Sequence, residues 1–103
     1  MRPQVTRRAG EAPPDEAALR AAMREEGLAP RRWSNGPGDR HAAHSHAYRK
    51  ALYCVSGSIT FKLVATGERL TLGPGARLDL PAGVIHAAIV GSDGVVCVEA
   101  AAG

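Results

Sequence analysis

The four histidines of this 103-residue chain are the side chains best suited to chemistry. His41, His44 and His46 lie within six residues of one another, and His86 follows 40 positions after His46. Residues two apart on a strand point to the same side, so His44 and His46 can face one partner together. Neutral imidazole is a good ligand for zinc, iron, copper and nickel, and a third imidazole from a distant strand would complete a site with open positions. A bare His-x-His also occurs on protein surfaces without a metal.

The elements that position these histidines are predicted to be short β-strands. The candidate strands are residues 31–34, 49–55, 59–64, 69–72, 77–80, 84–90 and 95–100. Turn residues separate them at intervals of about ten, which is typical of an antiparallel sandwich or barrel. Ile59, Phe61 and Leu63 alternate with polar residues and share one face. We expect Gly57 to close a hairpin between 49–55 and 59–64, and residues 91–94 to form a turn before the last strand.

One segment has helical character instead. Residues 15–26 read DEAALRAAMREE, with good helix formers throughout, Asp15 as a plausible N-cap and Gly27 as a C-terminal stop. Leu19, Ala22 and Met23 share a narrow apolar face, which would pack on the outside of a larger element or lie in a dimer interface. The predicted organisation is a flexible arm over 1–14, a helix and linker over 15–37 that packs on a barrel, and the barrel itself over 38–103.

The residues around the histidines resemble the two motifs of the cupin superfamily. The first motif is Gly, five residues, His-x-His, three or four residues, Glu, six residues, Gly. The second is Gly, five residues, Pro-x-Gly, two residues, His, three residues, Asn. Eight of the ten marker positions match, and they are Gly38, His44, His46, Gly57, Gly75, Pro81, Gly83 and His86. The two departures are Lys50 at the Glu position and Val90 at the Asn position.

This resemblance implies an all-β fold, a small antiparallel jelly-roll β-barrel with one short N-terminal helix. It also implies that His44, His46 and His86 point inward near one mouth of the barrel and hold one divalent metal ion, namely Fe, Zn, Mn or Ni. The expected function is that of a metal-binding cupin that acts on or binds a small organic molecule, as a dioxygenase or an isomerase. Lys50 and Tyr48 are the candidates for a catalytic role. Similarity to small cupins further implies a homodimer.

Lys50 puts the metal in question, because the Glu at this position completes the ligand set of typical cupins. An ammonium beside a dication is destabilised, and lysine is a poor ligand while it is protonated. Three arrangements are open. The three histidines hold the metal alone, Lys50 fills the cavity in place of the metal, or a bulge turns Lys50 outward. Strand alternation from His44 through Lys50 makes the inward direction the default.

An inward Lys50 would favour an anionic ligand. The alternative function is therefore a non-catalytic ligand-binding or sensory cupin, free of metal because Lys50 replaces the Glu. Asp79 and Glu99 alternate with apolar neighbours and are interpreted as outward charges, so we expect no replacement carboxylate near the site. His41 is expected on an exposed loop or at the rim of the cavity.

Composition and sequence patterns also exclude several classes of partner and location. The chain has 13 basic and 10 acidic residues, and its arginines are not interleaved with aromatic residues as in nucleic-acid modules, so we expect no nucleic-acid partner. No apolar run approaches the roughly 20 residues of a membrane span. No secretory signal is recognisable at the start, and a cytoplasmic location is expected. Cys54 and Cys97 are expected to be buried thiols.

Overall fold

In the part of the chain that the computed structural model describes, residues 2–7 and 15–102, there are seven strands and one helix. The strands are β1 (Gln4–Thr6), β2 (Arg31–Asn35), β3 (Arg40–His44), β4 (Lys50–Leu63), β5 (Arg69–Leu72), β6 (Arg77–Leu80) and β7 (His86–Ala101). The helix α1 spans Glu16–Glu25. The strands form a single antiparallel sheet in the order β1-β6-β4-β7-β2, with β3 also paired to β7 and β5 to β4. The predicted all-β antiparallel fold with one short helix is confirmed.

The sheet is organised around two long strands where four short ones were predicted. β4 and β7 pair from Lys50 opposite Ala101 to Leu63 opposite His86. The expected hairpin at Gly57 and the expected turn at residues 91–94 are both wrong. Gly57 and Gly94 do have positive φ angles, of 73° and 75°. However, they lie where the ladder shifts register, and such bulges bend a strand without reversing it.

The two strands turn this corner in close contact. A Cβ atom on Gly57 would lie 1.9 Å from the carbonyl oxygen of Gly94, so only glycine fits there. The corner also changes which residues face inward. Leu52 and Cys54 before it, and Ile59 and Phe61 after it, belong to the same buried core. The inward residues have even numbers before the corner and odd numbers after it, so both halves of β4 contribute side chains to the same core.

Helix α1 packs on the outer face of β4 and β7. Asp15 Oδ1 accepts a hydrogen bond from the Ala18 N–H at 2.9 Å, which caps the first turn. Leu19 and Met23 are buried against three small side chains of the sheet, Ala51, Val98 and Ala100. No helix in residues 2–7 and 15–102 is long and apolar enough to cross a membrane.

The N-terminal segment differs from the expected flexible arm. Residues 4–6 form β1, which pairs with β6 through Val5 opposite Leu78, and Val5 packs against the core. The rest of the predicted arm, residues 8–14, lies outside the described residues, as does Met1. The sheet also begins before residue 38, since β2 pairs with β7 along its whole length. Cys54 and Cys97 are free and buried, as expected.

Gly57→Ala should destabilise the fold strongly. The new Cβ meets the Gly94 backbone, and the residue must hold a positive φ, so we expect a loss of about 3 kcal/mol or more in the free energy of unfolding. Gly67→Ala is the matched control, because Gly67 has a φ of 74° and nothing within 4 Å of its would-be Cβ. Its cost should be about 1 kcal/mol. Urea denaturation of both variants measures the two losses in the free energy of unfolding. Equal losses in Gly57→Ala and Gly67→Ala would contradict the close backbone contact between Gly57 and Gly94.

The contact between Glu26 and Arg77 should make part of the stability depend on pH. The Arg77 guanidinium donates hydrogen bonds to the Glu26 carboxylate and lowers the pKa of that group below its ordinary value of 4.5. A depressed carboxyl pKa stabilises the fold above the unfolded value, and the effect is lost as pH falls through the folded value. The pair is partly exposed, so its contribution at pH 7 should be about 0.5 kcal/mol.

We therefore expect Glu26→Gln to be slightly less stable than the wild type at pH 7 and equally stable near pH 3. Thermal unfolding across this range measures the difference. Glu25→Gln, at the exposed neighbouring position, should leave the wild-type pH dependence unchanged. A difference between Glu26→Gln and wild type that does not shrink with falling pH would contradict the linkage.

Candidate metal centre

Three histidines from two distant parts of the chain meet at one end of the barrel. His44 ends β3, His46 follows in the connection to β4, and His86 begins β7, where it pairs with His44. Their ring centroids are 4.8 Å apart for His44–His46, 4.4 Å for His44–His86 and 5.4 Å for His46–His86. One nitrogen from each ring lies within 4.8 Å of the other two. The structure thus brings together the three residues that the sequence predicts, although His46 lies just beyond the strand.

Backbone carbonyls set the orientation of two of these rings. His44 Nδ1 lies 2.7 Å from the Ala42 carbonyl oxygen, and His86 Nδ1 lies 2.9 Å from that of Val84. A carbonyl oxygen can only accept, so each Nδ1 carries a hydrogen, and in the neutral ring the lone pair is then on Nε2. His46 Nε2 and His86 Nε2 are both buried without a hydrogen-bond partner among the described residues. A buried partnerless lone pair costs free energy unless a donor or a cation satisfies it.

The electrostatics favour neutral imidazoles. Burial lowers the pKa of His46, and the nearby Lys50 ammonium lowers it further. Burial is also the main cause that lowers the pKa of His86, against an opposing effect of its bond to the Val84 carbonyl. A lowered pKa means that protons compete less with a metal for the ring nitrogens near neutral pH. The donor set therefore fits a divalent first-row metal.

The site opens to solvent on one side. His86 is buried, His46 is half-buried and His44 is exposed. Tyr48 and Ile85 are also exposed, and the Tyr48 ring lies 5.0 Å from that of His46. With one nitrogen of each ring within 4.8 Å of the others, the three histidines would hold one divalent metal ion, which would supply Lewis-acid chemistry there. A small molecule would reach the three histidines from the side on which His44 and Tyr48 are exposed.

Lys50 points into the barrel, the direction that strand alternation predicts. It is only 8% exposed, and its Nζ lies 3.2 Å from Glu99 Oε1. The arrangement with Lys50 turned outward is therefore wrong. The ammonium is also charge-paired, which removes the basis for expecting an anionic ligand.

Glu99 does not face outward as expected from its neighbours. It lies on the same side of β7 as the core residues Val95 and Cys97, and its Oε1 accepts a hydrogen bond from Trp33 Nε1 at 2.6 Å. Val98 and Ala100 are apolar because α1 covers them on the other face. The sequence did contain a signal for this direction. The last strand has apolar residues on both faces, and the predicted helix has an apolar stripe that can cover one face, which leaves Glu99 on the other, inward face.

His41 is not part of the cluster. Its Nε2 lies 2.8 Å from Asn35 Oδ1, and its ring lies 5.6 Å from that of Trp33. It is half-buried on β3, so it is not an exposed loop residue. Burial lowers its pKa too.

The fold and the spacing of the site agree with the comparison to known families. The model of the cupin domain matches residues 32–98, which is more than half of the chain. The chain therefore belongs to the cupin family, and the resemblance in its two motifs is confirmed. Among curated proteins, none matches this sequence closely enough to name a relative.

Solved structures with the same fold differ widely in what they do. A DUF861 family protein from Thermotoga maritima has a TM-score of 0.68 at 12% identity, with 98% of this chain and 100% of that chain covered. A structure of the DMSP lyases RdDddP and RnDddQII has a TM-score of 0.63 at 28% identity, with 70% of this chain and 36% of that chain covered. The polyketide cyclase RemF from Streptomyces resistomycificus has a TM-score of 0.63 at 22% identity, with 72% and 54% covered.

Proposed function

We propose that this cupin binds one divalent metal ion, Fe, Zn, Mn or Ni, through the Nε2 atoms of His44, His46 and His86. We further propose that it acts on or binds a small organic molecule at the open side of this site. The observation that carries the proposal is the pair of buried nitrogens on His46 and His86 that have no hydrogen-bond partner among the described residues, within a cluster of three histidines. Burial lowers the pKa of His46 and of His86 and so favours their neutral forms, and backbone carbonyls orient His44 and His86, as metal ligation requires.

The protein's part in such a reaction is to orient and to enclose. The carbonyls of Ala42 and Val84 orient the rings of His44 and His86. His86 is buried, so the barrel core excludes water from it. Tyr48 lies at the rim beside His46, where its hydroxyl can contact a bound molecule. The chemistry that a metal supplies in this setting is polarisation of an oxygen or carbonyl group.

An enzymatic role, by oxygenation or isomerisation of the small molecule, is the form of this proposal that we favour. The similarity to a DMSP lyase structure, at 28% identity, supports a small organic substrate. That relative is longer than this chain, so its own substrate is not carried over. Lys50 is charge-paired with Glu99 and donates no hydrogen bond to His46 Nε2 or His86 Nε2, which favours the metal over the metal-free alternative. A homodimer remains a prediction from the family.

Protein purified without a His tag should contain about one divalent metal per chain by elemental analysis. His44→Ala should lose most of it, because one of three ligands is gone, and His44 is exposed, so the fold should survive. His86→Ala should lose it too. His41→Ala is the matched control and should keep the metal, because its ring is bonded to Asn35 outside the cluster.

Circular dichroism of each variant separates loss of metal from loss of fold. If the wild type takes up none of Fe, Zn, Mn or Ni after incubation with each, the metal proposal is wrong. The protein would then be a ligand-binding cupin without a metal. Metal lost equally from His41→Ala would place the site elsewhere.

A further inference from the structure

A second polar group lies inside the barrel near the three histidines. Lys50 Nζ and Trp33 Nε1 both approach the same atom, Glu99 Oε1, at 3.2 Å and 2.6 Å. Lys50 is 9% exposed at its side chain and Glu99 is 25% exposed. Glu99 Oε2 has no hydrogen-bond donor among the described residues. The three residues come from β4, β7 and β2, so the group is built by the fold.

The register of the sheet explains the contact. Leu52 of β4 pairs with Glu99 of β7, and Lys50 pairs with Ala101. Lys50 and Glu99 are therefore diagonal neighbours on adjacent strands, both directed inward, at a separation that long side chains bridge. In the family motif that this sequence otherwise follows, the residue at position 50 is the acid. Here the start of β4 carries the cation, and the acid comes from the end of β7.

Lys50 and His86 are both buried, and the Trp33 ring, whose N–H bonds Glu99, lies 5.6 Å from the ring of His41 on β3, the strand that ends at His44. After burial, the largest effect on the pKa of His46 is that of the Lys50 ammonium, which lowers it, while the Glu99 carboxylate raises it. Both groups also act on His41. An ammonium without a counter-ion in this interior would repel a dication at the three nitrogens, and the repulsion is strong where water is excluded. When the ammonium is paired with the Glu99 carboxylate, the two charges sum to zero and most of this repulsion is removed.

We propose that Glu99 is the acidic group of this metal centre, supplied from β7 in place of the missing motif carboxylate. It acts as a positioning residue, which holds the Lys50 ammonium in an ion pair so that a dication can bind beside it. Trp33 fixes the carboxylate by its indole N–H. This inference rests on the proposed metal binding. It assigns a role in the metal centre to Glu99, which is not one of the ten motif positions.

The test is the affinity of the whole chain for Zn²⁺, measured by calorimetry on metal-free protein. Glu99→Gln leaves Lys50 unpaired, so Zn²⁺ should bind about tenfold more weakly or worse. Asp79→Asn is the matched control. It removes the same charge at a side chain of the same exposure, 26% against 25%, but Asp79 pairs with Arg77 and Arg49 and not with Lys50. Its affinity should stay within about twofold of wild type.

The variants at position 50 separate charge compensation from a structural role of Glu99. Lys50→Met removes the ammonium, so affinity should equal or exceed that of the wild type. In the Lys50→Met/Glu99→Gln double variant there is no charge left to compensate, so affinity should return close to the wild-type value. A merely structural role would leave the double variant at least as weak as Glu99→Gln.

The exchanged pair, Lys50→Glu/Glu99→Lys, guards against a single variant that fails to fold. It keeps the ion pair and restores an acid at the motif position, so it should bind Zn²⁺ at least as tightly as the wild type. Wild-type affinity in Glu99→Gln, or a double variant as weak as that single variant, would overturn the role of Glu99 alone. If the wild type binds none of Zn²⁺, Fe²⁺, Mn²⁺ and Ni²⁺ in the same measurement, this inference is overturned together with the proposed function.

Discussion

The contact between the backbones of Gly57 and Gly94 is the constraint on which the rest of the structure depends. A Cβ atom on Gly57 would lie 1.9 Å from the Gly94 carbonyl oxygen, so the two long strands are in direct backbone contact there. A Cβ atom on Gly94 would lie 3.0 Å from the carbonyl oxygen of Asn35 in β2. β4 and β7 must therefore bend as a pair, and each presents one set of residues to the interior before the bend and the opposite set after it. The barrel interior is lined by both halves, and the polar residues near the two ends of β7, His86 and Glu99, both lie on the side of that strand that carries the core residues.

The candidate site combines two electrostatic requirements that usually conflict. The imidazoles must be neutral to bind a cation, which burial and the Lys50 ammonium both favour by lowering the pKa of His46. The same ammonium opposes a dication. The ion pair with Glu99 reconciles the two, because the ammonium stays close to His46 while the sum of the two paired charges is zero.

The sequence is most informative where structure is local. The helix is specified by its own helix-forming residues, its N-cap Asp15 and Gly27 after its end. The predicted segment 15–26 accordingly contains the observed Glu16–Glu25 helix. β5 and β6 match their predicted bounds, and the motif spacing identifies the histidines that converge. The failures concern non-local pairing. A glycine with positive φ serves a hairpin or a bulge equally well, so Gly57 alone could not decide between them. Glu99 was missed because its direction depends on a bend several residues earlier and on a helix that covers its neighbours.

The end of β7 serves two environments with alternate residues. Val98 and Ala100 contact α1, while Cys97 and Glu99 face the barrel interior. Removal or insertion of one residue between the corner and Ala101 would exchange these sets, placing a carboxylate beneath Leu19 and Met23 and a valine beside Lys50. In evolutionary terms, this stretch tolerates replacement far better than a change in its length. Variation in length among homologues should be concentrated in the connections between strands, such as residues 64–68.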